Sequence, residues 1–208
     1  MNDKQIVIIG GGLQGLATAF TLLNRGEDVL ILERDEDVAT AASFANAGML
    51  TPSQSSPWNS PNDILQILKG IGKKDSPMSL NPLAIPSLFF WGLKFLFNST
   101  PTRFDRITSN LFSLGNFSKH LTQKIREDFD ISYDESLLGT LKIYRDAQNF
   151  DKASELQTKM FSGNKEFSIM DSESLTNLEP ALKEIRNDLA GGIHFPNDET
   201  GDAYKFCK

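Results

Sequence analysis

The sequence predicts an α/β fold that opens on a parallel βαβ unit, and three observations near its N-terminus carry that expectation. An apolar, β-branched run, Ile6-Val7-Ile8-Ile9, has the composition of a strand buried on both faces. It leads directly into Gly10-Gly11-Gly12-Leu13-Gln14-Gly15, in which Gly10, Gly12 and Gly15 keep the spacing G-x-G-x-x-G. A second apolar run, Val29-Leu30-Ile31-Leu32, ends on the acid Glu33. Between the runs Ala19 and Gly26 are small, as a helix packed closely on a sheet requires.

These residue types at this spacing suit a dinucleotide. Glycines let the chain turn tightly and approach a pyrophosphate, and the helix that follows points its first amides at the phosphates. Glu33 stands where a carboxylate accepts hydrogen bonds from ribose hydroxyls. The same charge would repel a 2′-phosphate, which argues against NADP. An ordinary glycine-rich turn would leave Glu33 unexplained.

The remaining elements follow from periodicity. Residues 39–60 lose both helix and strand periods and become small, polar and proline-containing, so they read as a long functional loop. Residues 64–71 read as a short helix, followed by a proline-punctuated stretch through Pro101. Within it, residues 83–97 (LAIPSLFFWGLKFLF) are strongly apolar but too short to span a bilayer, and they include Pro86, Gly92 and Lys94. A core or interface helix is the favoured reading. The alternative is a helix lying in a lipid interface through Phe89, Phe90, Trp91, Phe95 and Phe97. Phe104, Ile107, Leu111, Leu114, Leu121, Ile125 and Phe129 recur mostly at helical spacing and predict a long amphipathic helix over 102–129. Strands are expected at 138–144 and 167–170, flanking a helix that contains Ala153, Leu156 and Met160. Asp171 reads as the N-cap of a short helix through Leu175 and Leu178, ended by Pro180. A last strand is expected over 189–195, and a helix begins after Gly201-Asp202. No run after Glu33 supplies a third parallel strand in βαβ order, so the sheet reads as incomplete and the chain as the N-terminal part of a longer or split protein.

Bulk properties bound the function. A formal charge of −6 and a pI near 5.0 argue against a nucleic-acid partner, which would need a basic face. Cys207 is the only cysteine, so no internal disulfide forms and a reducing cytosol fits. It has no Cys or His partner at metal-ligand spacing, and no metal is expected. The N-terminus runs straight into a strand without the pattern of a signal peptide. His120 lies on the polar side of the long helix and reads as solvated, while His194 reads as packing on a strand. Asp198-Glu199, beside Gly201-Asp202, sit in a Pro-Asn-Asp setting that suits a turn and helix cap better than acid/base catalysis.

Further blocks carry a resemblance: Ser43-Phe44-Ala45-Asn46-Ala47-Gly48, Ser56-Pro57-Trp58, Gly139-Thr140-Leu141, Leu178-Glu179-Pro180-Ala181-Leu182 and, most distinctive, the run from Gly191-Gly192-Ile193-His194-Phe195 through Pro196-Asn197-Asp198-Glu199-Thr200-Gly201-Asp202. On these residues the chain resembles the FAD-dependent amine and amino-acid oxidoreductases of the D-amino-acid oxidase superfamily, and within it the bacterial D-amino-acid dehydrogenases of small-subunit type. The resemblance covers essentially the whole chain. It implies an FAD-binding Rossmann-like domain of glutathione-reductase type with an α+β substrate domain, both incomplete here. Residues 1–60 would be the first part of the FAD domain, 61–200 part of the substrate domain, and 201–208 the start of a helix returning to the FAD domain.

The resemblance also implies roles. FAD would be held at Ile9, Gly10, Gly11, Gly12, Leu13, Gln14 and Gly15, with Glu33 on the adenosine ribose and Arg34 flanking the adenine. Ser43, Asn46, Ala47, Gly48 and Met49 would run along the cofactor toward the flavin, because small residues permit close backbone approach. The implied reaction removes hydride from the Cα of a D-amino acid such as D-alanine, and hydrolysis then gives a 2-oxo acid and ammonia, with electrons passing to a respiratory acceptor. That implies a cytoplasmic protein with peripheral contact at the inner face of the membrane. Gly48-Met49-Leu50 departs toward the glycine oxidase pattern, so a glycine- or sarcosine-oxidase-like amine oxidase is the alternative, and a non-catalytic subunit needing a partner chain is the third reading. No residue here reads as the cation that clamps a substrate carboxylate, and the catalytic residues are unassigned.

Overall fold

The computed structural model of the chain describes residues 5–60, 85–160 and 167–208. The helix expected at 64–71 lies outside the described residues. β1 (Ile6–Ile9) and β2 (Val29–Leu32) pair in parallel, Ile6 opposite Val29 through Ile9 opposite Leu32, and α1 (Leu13–Leu23) joins them. Ala19 is the buried contact of α1, as its size predicted. Gly26 serves another purpose: its φ is +81° and the space around its missing Cβ is open. The chain needs it to reverse direction after α1, not to bring helix and sheet together. Among the described residues no third strand joins this pair, and Val7, Ile9, Leu30 and Leu32 keep exposed side chains.

The loop expected at 39–60 is not irregular throughout. It holds a two-residue strand, β3 (Met49–Leu50), and a 3-10 turn, Pro52–Gln54. A strand this short leaves no periodic signal, since its partner lies far along the chain. α2 (Ile85–Asn98) accommodates Pro86 in its first turn, where a missing N–H breaks no helix bond. Leu88, Phe89, Phe90, Trp91, Leu93, Leu96 and Phe97 are exposed, while Phe95 is half-buried. None of the described helices is long and apolar enough to cross a membrane.

α3 (Pro101–Phe129) matches the expected long helix and ends at Asp130 in the left-handed region, φ 51°. Its buried face differs from the predicted stripe. Phe104, Thr108 and Lys119 are buried, whereas Leu114, Leu121 and Phe129 are exposed. Gly115 lets α3 press on the 3-10 turn, since a Cβ there would lie 3.2 Å from Ser55 Oγ and 3.4 Å from Pro52 Cα.

The second half builds a three-stranded antiparallel sheet in the order β4-β6-β5, with β4 at Thr140–Tyr144, β5 at Ser168–Met170 and β6 at Gly191–Phe195. α4 (Ala147–Met160) connects β4 toward β5. α5 (Ser172–Leu178) starts as predicted, Ser174 N–H donating to Asp171 Oδ1 at 2.8 Å. Pro180 ends α5 and opens a 3-10 stretch, Pro180–Asp188, that the sequence did not announce. Ile193, Phe195 and Leu175 are essentially fully buried and form the centre of the core. Gly192 makes room for Leu175, whose Cδ2 would lie 2.8 Å from a Cβ at that position. His194 Nε2 lies 3.2 Å from Leu138 O, a packing position. His120 is exposed, with Nδ1 3.1 Å from Gln123 Oε1. β7 (Glu199–Thr200) pairs antiparallel with β3, Met49 opposite Thr200 and Leu50 opposite Glu199, and α6 (Ala203–Cys207) follows.

Candidate functional site

The glycine turn is built by chain closure. A Cβ on Gly15 would lie 1.9 Å from Gly10 O, so only glycine lets the first turn of α1 close over the end of β1. At Gly12, which caps α1, a Cβ would meet Ser43 Oγ at 3.3 Å. No side chain caps α1 through Gly12, and no acid stands in its first turn. Its N-terminus therefore offers backbone N–H groups and the positive end of the helix dipole to an anion. That donor set fits the pyrophosphate of a dinucleotide.

Glu33 and Ser43 brace this turn. Gly11 N–H donates to Glu33 Oε2 at 2.5 Å, while Oε1 accepts from Arg34 N at 2.7 Å and Asp35 N at 3.1 Å. The amides of Asp35, Gly11 and Arg34 hold the Glu33 carboxyl below the usual glutamate range, so it is ionised and pre-set beside the glycines. Leu13 N–H donates to Ser43 Oγ at 3.0 Å. The Arg34 side chain is 87% exposed, with Nε 3.3 Å from Asp35 Oδ1. Ile9, at the end of β1, is 88% exposed, and Gln14 is exposed on α1.

The loop after β2 reaches a second centre. Asn46 Oδ1 accepts from Gly48 N at 2.8 Å, an Asx turn that shapes the bend. Gly48 has φ +59°, and its O accepts from Gly201 N at 2.8 Å. A cavity of about 350 Å³ opens here, lined by Leu13, Ala47, Gly48, Met49, Tyr133 and Phe206 among others. The predicted loop and the predicted helix start thus share one hollow. Sequence reasoning missed Tyr133, which is 2% exposed, accepts from Asp202 N through its backbone O at 2.7 Å, and packs edge-on against Phe206 at 5.1 Å. Burial pushes its phenol above the ordinary tyrosine range. Nothing local marks Tyr133; only its ring packing on Gly201, whose Cβ position lies 2.2 Å from Tyr133 Cε2, reveals it.

The turn expected at Pro196-Asn197-Asp198 is present, Asp198 N–H donating to Phe195 O at 3.3 Å, but neither Asp198 nor Glu199 is a helix cap. Asp202 is the cap, accepting from Tyr204 N and Lys205 N. Asp198 and Glu199 are instead 3% and 4% exposed. Asp198 accepts from Ser53 Oγ at 2.5 Å and Thr140 Oγ1 at 2.6 Å. Glu199 accepts from Gln123 Nε2, and from Arg126 Nη1 at 3.0 Å. α6 closes over the loop, with Tyr204 against Phe44 at 5.1 Å and Lys208 Nζ 2.6 Å from Asp37 Oδ2. Among the described residues no cluster of His, Cys, Asp and Glu could hold a metal.

Comparison with known proteins gives a consistent result. Residues 5–208 match the family described as FAD dependent oxidoreductase. A D-amino acid dehydrogenase of Paramagnetospirillum magneticum is 33% identical over 98% of this chain and 49% of that protein. The chain therefore spans about half the length of the curated relatives it matches. Among solved structures, glycine oxidase from Geobacillus kaustophilus superposes with a TM-score of 0.57 at 22% identity, covering 97% of this chain and 41% of that one. L-alpha-glycerophosphate oxidase from Mycoplasma pneumoniae, with FAD bound, gives 0.55 at 15% identity over 98% and 41%. Identities this low establish a shared fold.

Proposed function

Because the chain belongs to the FAD dependent oxidoreductase family, we propose that it binds FAD along the glycine turn and the 43–49 loop, in a protein that oxidises D-amino acids to 2-oxo acids and ammonia. The single observation that carries the binding reading is the glycine turn at the start of α1, closed by Gly10 and Gly15 and braced by Glu33 and Ser43. The substrate reading is supported by the name of the similar D-amino acid dehydrogenase. Residues 1–60 form the first part of the FAD domain in this reading, residues 61–200 contribute to the substrate side, and the helix begun at 201–208 returns toward the cofactor.

The chemistry that FAD brings when bound is acceptance of a hydride from the substrate Cα. This chain's residues bind and orient. The α1 amides would hold the pyrophosphate, Glu33 the ribose, and the backbone of Ala47, Gly48 and Met49 would stand beside the flavin, in a hollow whose lining includes Tyr133 and Phe206. The partners proposed are a D-amino acid and a respiratory electron acceptor. The proposed location is the cytoplasm, with peripheral contact at the inner membrane face. Exposure of Phe89, Phe90 and Trp91 on α2 supports that contact.

Two experiments test this. The full-length protein, purified with FAD, should reduce an artificial acceptor with D-alanine and leave L-alanine untouched; turnover of glycine or sarcosine with peroxide release would replace the dehydrogenase reading with the oxidase one. Replacing Phe89, Phe90 and Trp91 with Ser should release the enzyme from vesicles with solution activity intact. Loss of folding in that variant would assign α2 to a core.

A further inference from the structure

We propose that Asp198 and Glu199 are positioning residues for the cofactor loop, two buried carboxylates that fix where the backbone of residues 47–50 stands; this rests on the reading of residues 43–49 as the flavin loop. Adjacent residues of extended chain project to opposite sides, and here the two acids reach different elements. Asp198 collects the Ser53 hydroxyl from the segment just past β3 and the Thr140 hydroxyl from β4. Glu199 collects Gln123 and Arg126 from one face of α3. Lys119, one turn earlier on that face, donates to Asn197 O at 2.6 Å, so three α3 side chains at four- and three-residue spacing hold Asn197 and Glu199 on either side of Asp198.

The clamp transmits directly to the loop. Glu199 faces Leu50 and Thr200 faces Met49 in the β3–β7 pair. One residue on, Gly201 N–H binds Gly48 O at 2.8 Å, and a Cβ on Gly48 would approach Gly201 O to 2.1 Å. Backbone contacts this close leave no slack, so a shift of the 198–201 turn moves Gly48 and Met49 with it. Burial makes the restraint stiff, because a buried carboxylate that loses a donor has no water to replace it. The carboxylates do no chemistry in this account. They act through the backbone they hold.

The test compares amide hydrogen exchange and flavin binding in the full-length protein. Glu199→Gln should speed exchange at residues 47–51 in the FAD-free protein about tenfold while β1 and β2 exchange as in wild type. It should also raise the Kd for FAD about tenfold and alter the visible circular dichroism of bound flavin. Thr140→Val should act in the same direction through Asp198, and Thr140→Ser, which keeps the hydroxyl, should restore wild-type values. Ser53→Ala removes a single hydroxyl and decides the matter if Glu199→Gln does not fold. Unchanged exchange at 47–51, or an equal rise along the whole chain, would overturn the proposal. A wild-type protein that takes up no FAD would overturn the flavin reading alone, since the exchange contrast still reports on the clamp.

Discussion

At the scale of the residue, two glycines are fixed by geometry that no side chain tolerates. Gly15→Ala would place a Cβ 1.9 Å from Gly10 O and force the turn open. The expected outcome is loss of bound FAD, read as loss of visible flavin absorbance, and a variant that stays yellow would refute the assignment of the turn. Gly48→Ala combines a φ of +59° with a 2.1 Å approach to Gly201 O. The left-handed backbone alone costs about 1–2 kcal/mol for an L-residue, so urea unfolding should show at least that loss. Glu33 gives a pH signature. Its folded pKa lies below the ordinary value because backbone amides favour the charged form, Asp35 first and then Gly11 and Arg34. A depressed carboxylate contributes stability above its unfolded pKa and loses that contribution as pH falls through its folded pKa. The Gly11 amide resonance should therefore titrate with a midpoint below that of free glutamate, and Glu33→Gln should abolish the transition. The glycine spacing and Glu33 were legible because they are local chemistry. Ser43 on the Leu13 amide and Tyr133 on Gly201 were not, since neither contact leaves a trace in spacing.

At the scale of the element, α3 shows how a correct boundary coexists with a misread face. Periodicity of Phe104, Ile107 and Leu111 located the helix, yet Lys119, Gln123 and Arg126 turn inward because Asn197 O and the Glu199 carboxylate offer them acceptors. The side chains of Arg126 and Glu199 are 13% and 5% exposed. Breaking such a pair by Arg126→Met leaves a buried carboxylate with no counter-charge and only the Gln123 amide as donor, and should destabilise by about 3 kcal/mol. Thermal or urea unfolding checks this. A loss below 1 kcal/mol, the range of surface pairs, would mean that water reaches Glu199. β3 and β7 escaped prediction for a related reason. A strand two residues long is specified by its distant partner and by the glycines beside it, not by its own composition.

At the scale of the whole molecule, apolar surface is unevenly covered. Ile9 and Leu138 are 88% and 84% exposed, and Phe89, Phe90, Trp91 and Phe97 of α2 add further exposed aromatic surface. Expressed alone, residues 1–208 should self-associate, because uncovered apolar surface of this kind drives aggregation. Light scattering on a dilution series checks it, and a monodisperse monomer would count against the reading of these faces as contact surfaces. The same protein alone should reduce no acceptor with D-alanine, since no described residue supplies a cation to hold a substrate carboxylate within the hollow by Gly48 and Tyr133.

The sequence by itself determined the α/β opening, the longer strands and helices among the described residues, the cap at Asp171, the cap at Asp202 and the glycine turn with its acid. Each depends on residues within a turn or a strand of one another, where periodicity and backbone stereochemistry act directly. Tertiary structure alone decided which face of α3 is buried, that Asp198 and Glu199 are interior anchors, and that residues 47–49 stand against Gly201 and Tyr133. Those outcomes depend on which distant donor meets which carboxylate. Burial makes that pairing obligatory, but only the folded chain settles the partners.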